Sequence, residues 1–214
     1  MSCHVSHQDL PQLPSLDELN GCDLSTFNRT VGLFFESAPL LGERLVQCRP
    51  FASYPQILQD AERILHHDMT ETEQIAVVNA HPRIGQSPTK LSVLSRAEQN
   101  GGLPVKDALA PSKKKSEASS IAKSTLDNNG DDRVVCQGDD TAVLDQLCEL
   151  NQQYEAKYGF RFLVFVDGLS KAELIPVLKD RLLHSSRTTE LQKALHDAIW
   201  IAGSRLRVLL PVDV

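Results

Sequence analysis

Apolar residues recur at three- and four-residue spacing through most of the chain, and each run is bounded by a helix start or stop signal. Ser15-Leu16-Asp17-Glu18 has the Ser-x-x-Glu spacing of a capping box, in which hydroxyl and carboxylate satisfy free amide groups at a helix start. Phe27, Val31, Phe34 and Phe35 predict a second helix over Ser25 to Ser37, with Pro39 as its stop. Ile57, Leu58, Ala61, Ile64 and Leu65 form the apolar stripe of a helix over 54–67 that closes at His66-His67-Asp68. A second capping box, Thr70-Glu71-Thr72-Glu73, starts a short helix through Ile75, Val77 and Val78 that leads to His81. Lys90 to Gln99 reads as a helical turn or two ending at Gly101-Gly102. Val143, Leu147, Leu150 and Tyr154 predict a helix over Thr141 to Lys157 that Gly159 ends. Ser170-Lys171-Ala172-Glu173 starts the next, running to about Leu183 with Pro176 as a kink point, and the last spans Arg187 to Leu209.

Three stretches break the helical rhythm. Residues 1–13 mix His, Gln and Pro without periodicity and read as a flexible, unpacked N-terminal arm, with order starting near Ser15. Residues 104–140 lack aromatics and carry a lysine run followed by Ser-rich and Asp-Asn-Gly-rich sequence. That composition cannot bury enough apolar surface to offset its ordering entropy, so it reads as a disordered insert. Phe160 to Val166 is rich in aromatic and β-branched residues and reads as extended, yet no partner strand is evident. The expected fold class is therefore all-α: one domain over 14–214, a bundle of about eight helices with one short extended segment, interrupted at about 104–140.

Composition narrows the partners. A net charge of −6 and a pI near 5.6 argue against nucleic acid or an anionic membrane, both of which favour a concentrated basic face. The longest strongly apolar run, within 160–166, is too short to span a bilayer, and no signal peptide is evident. Cys3, Cys22, Cys48, Cys136 and Cys148 are odd in number and show no C-x-x-C spacing, which suggests a reducing compartment. The closing Pro-Val-Asp-Val is not a peroxisomal Ser-Lys-Leu tripeptide, so the cytoplasm is the expected location.

Candidate chemistry concentrates in three places. In Asn79-Ala80-His81-Pro82-Arg83-Ile84-Gly85, Pro82 disfavours the α region for His81 and Gly85 can take the positive φ of a sharp turn. A titratable imidazole is thus presented at a rigid corner, either as a site or as a cover for helix-end carbonyls. Ser95, Glu98 and Gln99 stand at i, i+3 and i+4, placing a hydroxyl, a carboxylate and an amide on one helix face; a capping box is the plainer reading. In the last helix, Leu191, Leu195, Ala198 and Ala202 set a rhythm that lands on Arg205 and then Leu209, so a guanidinium falls in the core-facing stripe. Its neutralising partner is either a structural carboxylate such as Glu36 or Glu98, or a bound anionic group. His66-His67-Asp68 is a poor metal site, because adjacent helical side chains point in different directions.

Taken in order, Phe35-Glu36-Ser37-Ala38-Pro39, Arg49-Pro50-Phe51, the 79–85 corner, Ser95-x-x-Glu98-Gln99, Asn151-x-x-Tyr154-Glu155-x-Lys157-Tyr158-Gly159-Phe160 and Arg205 resemble the 2-oxo-4-hydroxy-4-carboxy-5-ureidoimidazoline (OHCU) decarboxylase family. The resemblance runs from about Leu24 to Leu209 outside the insert. It implies cofactor-independent decarboxylation of the ureidoimidazoline to (S)-allantoin in urate degradation, with no metal, and a homodimer. By the same resemblance His81 and Glu98 are the catalytic pair. Pro82, Ser95, Gln99, Arg205 and the backbone of Phe162 and Val164 then bind substrate. Arg161 stands where relatives commonly have proline. Two other functions are open: a metal-dependent hydrolase using His66, His67 and His81, and a catalytically silent helical interaction module.

Overall fold

The computed structural model describes residues 10–99, 139–166 and 168–210. Among these, nine α-helices and no strand occur. They are α1 (Leu16–Gly21), α2 (Leu24–Phe35), α3 (Pro39–Leu45), α4 (Tyr54–Arg63), α5 (Glu71–Ala80), α6 (Val93–Gln99), α7 (Asp139–Tyr158), α8 (Lys171–His184) and α9 (Arg187–Leu209). The all-α expectation holds, with one helix more than the periodicity suggested. The insert expected at 104–140 lies outside the described residues except for its last two, Asp139 and Asp140, which begin α7.

The expected capping boxes form at Ser15, Thr70 and Ser170, each pairing its hydroxyl with the amide of a glutamate three residues on. Pro39 plays a different part from the one expected. Helix α2 ends before it, and Pro39 opens α3 at a first-turn position where its missing N–H costs nothing. Helix α4 ends at Arg63 and passes into a π-helical turn over Ile64–Asp68. Packing also begins earlier than Ser15: Leu10 is buried, and the Tyr54 hydroxyl donates to the Pro14 carbonyl at 2.7 Å.

Helix α9 is the axis of the molecule, packing against α2, α4, α5 and α7. Ala194, Ala198 and Ala202 lie on its buried face at four-residue spacing, and their small side chains let neighbouring helices approach closely. A similar approach occurs between α2 and α3, where any Cβ at Gly42 would collide with the Asn28 side-chain carbonyl.

The irregular segment 160–166 is held in place by side chains rather than by a sheet. Phe160 and Phe162 pack edge-on against Tyr154, with ring centroids 6.0 and 5.2 Å away. The Arg181 guanidinium lies 4.8 Å from the Phe162 ring and donates to the Leu163 carbonyl at 3.2 Å. Glu190, fully buried, accepts from Arg181 Nε at 2.5 Å and from the Tyr154 hydroxyl at 2.7 Å, so its charge is paired as burial requires. One stretch of irregular backbone is thereby fixed between α7, α8 and α9.

Candidate functional site

Arg205 is the centre of the site. It is 1% exposed and directs every N–H at an acceptor. Nε and Nη2 donate to Glu98 Oε1 and Oε2, both at 2.8 Å, and Nη2 also reaches Ser95 Oγ and Glu36 Oε1 at 2.8 Å. Nη1 faces the Leu33 and Phe34 carbonyls at the end of α2, at 3.4 and 3.3 Å. Burial opposes the guanidinium charge, but the hydrogen bonds and charges of Glu98 and Glu36 outweigh it and hold the pKa above the ordinary value. Both structural carboxylates weighed for Arg205 are thus present at once.

Glu36 is the residue whose place in the site was least visible in the sequence. It follows α2 with φ 56° and ψ −157°, a conformation costing on the order of 1–3 kcal/mol for a residue with a side chain. That turn aims its carboxylate at α6, where Oε1 accepts from Ser95 Oγ at 2.6 Å and Ser92 Oγ at 3.0 Å. Burial pushes the Glu36 carboxyl up; the Arg205 charge and the Ser95 hydrogen bond more than reverse this, leaving it below the ordinary range. The available signal was a polar residue just past an apolar helix stripe and three positions before a proline.

Ser95 bridges the two charged groups, donating to Glu36 while accepting from Arg205. Helix α6 is already under way at Ser95, because Ser92 supplies the hydroxyl that receives the Ser95 amide at 3.1 Å. The Ser95-x-x-Glu98 spacing is therefore a helix face and not a capping box.

His81 ends α5 in extended backbone, with φ −71° and ψ 144° as Pro82 dictates. The imidazole is 2% exposed, and its Nε2 has no hydrogen-bond partner. Burial, followed by the Arg205 charge, depresses its pKa from 6.5 to about 3 against the opposing pull of Glu36, so the ring is neutral at pH 7. The expected pairing with Glu98 is not among the hydrogen bonds of the described residues. Both Glu98 oxygens are taken by Arg205, and the carboxylate whose charge His81 feels is Glu36.

Gln99 belongs to the frame of the corner. Its amide oxygen accepts from Gly85 N at 3.1 Å and its nitrogen donates to the Arg83 carbonyl at 3.2 Å. Asn151 Nδ2 holds the Ile84 carbonyl at 3.0 Å, and Gly85 takes the φ of 81° that the turn needs. Pro82 is half-buried beside His81. Across the corner, the backbone groups of Phe162 and Val164 make no hydrogen bond among the described residues. The arrangement therefore offers a neutral imidazole with an unpartnered Nε2, free peptide groups, and a fixed guanidinium whose two carboxylates leave the cluster one charge negative.

His66 and His67 lie away from this cluster; His66 faces Gln192 at 3.2 Å, and no metal-holding group of three His, Cys, Asp or Glu occurs among the described residues. No helix among them is long and apolar enough to cross a membrane.

Comparison with known proteins brings these observations under one heading. The family model described as OHCU decarboxylase matches residues 20–111 and 108–207. A 2-oxo-4-hydroxy-4-carboxy-5-ureidoimidazoline decarboxylase of Halalkalicoccus jeotgali is 28% identical over 196 residues, covering 91% of each chain. The uric acid degradation bifunctional protein PucL of Bacillus subtilis is 28% identical over 192 residues, covering 90% of this chain and 32% of that protein. The chain thus spans about a third of the length of its bifunctional relatives. A crystal structure of (S)-allantoin synthase shares the fold, with a TM-score of 0.56 and 16% identity over 93% of this chain and 54% of that one.

Proposed function

The chain belongs to the OHCU decarboxylase family, and from that premise we propose that it converts the ureidoimidazoline to (S)-allantoin without a metal or organic cofactor. The observation that carries the reading is the buried His81 Nε2, which lacks a partner beside an arginine cluster that is one charge negative. A buried nitrogen of this kind is costly to leave unmade, and a ligand hydroxyl or N–H supplies what it lacks.

The chemistry needs little from the protein beyond orientation and proton transfer. When the carbon–carboxylate bond breaks, carbon dioxide leaves and the electron pair passes into the substrate's own conjugated imine. The hydroxyl on the same carbon then gives up its proton to become the carbonyl, and the neighbouring carbon accepts one. Neutral His81 is suited to take the hydroxyl proton, and a proton delivered to one face yields one enantiomer. The free peptide groups of Phe162 and Val164 bind the polar edges of the heterocycle and ureido group. Ser95 and Arg205 face the anionic end, with Glu98 and Glu36 fixing the guanidinium that stabilises charge there. Pro82 forms pocket wall, and Gln99 keeps the corner in register. The protein acts on a small molecule as a homodimer, a reading that rests on the family alone.

The test supplies freshly made substrate, generated by urate oxidation and hydrolysis of the first product, and follows (S)-allantoin by circular dichroism. A faster, stereoselective signal that His81→Ala nearly abolishes is expected. No acceleration over the spontaneous reaction by folded protein would sink the proposal.

A further inference from the structure

The carbonyls of the His81 corner are gripped from outside by three side chains. Gln99 and Asn151 take those of Arg83 and Ile84, as described above. The third is Arg161, whose Nη1 donates to the Asn79 carbonyl at 2.6 Å and to the His81 carbonyl at 2.9 Å. The main-chain N–H of Arg161 also donates to Asn79 Oδ1 at 2.9 Å. Three hydrogen bonds therefore join one residue of the extended segment to the last turn of α5 and to His81 itself.

These bonds have a physical reason. A helix end leaves its last carbonyls without partners, and Pro82 has no N–H with which to continue the ladder. A guanidinium meets both needs, since its charge suits the negative end of the helix dipole and one nitrogen can span two acceptors. Among the described residues no carboxylate pairs with Arg161, so the two carbonyls are what its charge serves. Fixing the His81 carbonyl fixes the peptide plane from which the imidazole projects. The residue after Arg161 is Phe162, whose backbone is assigned above to the ligand.

We propose that Arg161 is a positioning residue that locks the His81 imidazole to the ligand-binding segment, so that the two walls of the pocket keep a fixed separation. The inference rests on the function proposed above. It differs from a stabilising helix cap in what it predicts, because misplacing a reacting group by about 1 Å can cost on the order of 100-fold in rate while a lost cap lowers stability alone.

The experiment compares Arg161→Ala, Arg161→Gln and Arg161→Lys in the full chain. The alanine variant should lose about 10- to 100-fold in kcat with a smaller change in KM, and lysine, able to reach one carbonyl, should recover part of the loss. A second readout needs no turnover: carbethoxylation of His81 by diethylpyrocarbonate, mapped by mass spectrometry against exposed His184. Arg161→Ala should accelerate His81 modification relative to His184. Wild-type kcat, KM and His81 reactivity accompanied only by a lower Tm would overturn the proposal. If the wild type shows no decarboxylation, the functional reading fails, and the His81 reactivity ratio still decides whether Arg161 positions the ring. Should the alanine variant not fold, the glutamine and lysine variants carry the same comparison.

Discussion

Arg205 and Glu98 meet edge to edge, Nε on Oε1 and Nη2 on Oε2, both at 2.8 Å, which is the bidentate geometry available to a guanidinium and a carboxylate. With Ser95, Glu36 and two α2 carbonyls on the remaining N–H groups, Arg205 has no donor left over. It holds α2, α6 and α9 together and sets the field around His81. A substrate anion that binds Arg205 directly must take the place of one of these partners.

Removing the guanidinium leaves two half-buried carboxylates close together with no cation between them. Arg205→Ala should therefore destabilise the protein by about 3–5 kcal/mol in urea unfolding. Adding Glu36→Gln and Glu98→Gln to Arg205→Met should return most of that stability without returning activity. A triple variant that is as unstable as the single one would show that the loss comes from packing and not from unpaired charge.

The depressed His81 pKa has a definite sign. Folded His81 stays neutral down to about pH 3, while the unfolded residue protonates near 6.5, so between these values the unfolded state binds one more proton. That contribution to stability is complete above pH 6.5 and declines as pH falls, at up to about 1.4 kcal/mol per pH unit. His81→Asn should flatten the stability profile between pH 6.5 and 4.5. Glu36 and Glu73, whose carboxyls are held low, contribute stability lost only as pH falls further below the usual 4.5. Parallel wild-type and variant profiles across the upper window would contradict a neutral buried ring.

Gln99 separates framing from substrate contact. Because both ends of its amide are used by Arg83 and Gly85, Gln99→Ala should lower kcat about 10-fold or more through loss of corner geometry, with KM changed less. A rise in KM at unchanged kcat would instead mark a uniform binding contact.

Glu36→Gln keeps the shape of its side chain and removes one negative charge from the cluster. The variant should lower the His81 pKa further, because Glu36 is the group that opposes its depression. Nitrogen-15 NMR of the ring at acid pH checks this. An unchanged His81 titration would mean that Glu36 is electrostatically silent there.

Activity should also persist in protein treated with chelator and exchanged into metal-free buffer. Loss of turnover that zinc restores would favour a metal-dependent hydrolase instead.

Much of this molecule was legible in its sequence because helices announce their own boundaries. The capping boxes at Ser15, Thr70 and Ser170 and the apolar rhythm of α9 are local signals, and the structure follows them. The same rhythm exposed Arg205 as a charge in a buried stripe. What could not be read is which partner each polar group would choose. Glu98 and Glu36 stand 62 residues apart in sequence, and only the packing of α2 against α9 decides that both reach one guanidinium. The same packing puts Arg205 on both Glu98 oxygens, an arrangement that the expected pairing of Glu98 with His81 did not include. Residues 160–166 read correctly as a break in the helical pattern, yet the segment is pinned by Arg181 and Arg161, side chains that no strand pattern signals.

Glu36 and Glu98 precede Arg205 in the chain by 169 and 107 residues, and α9 is the last helix among the described residues. As the polypeptide emerges from the ribosome, both acids are made long before the one cation that reconciles them. Without α9, bringing the two carboxylates together would meet like-charge repulsion that no cation offsets. Assembly of the candidate site thus waits for α9 to dock, and a chain cut before α9 lacks the cation that Glu36 and Glu98 share.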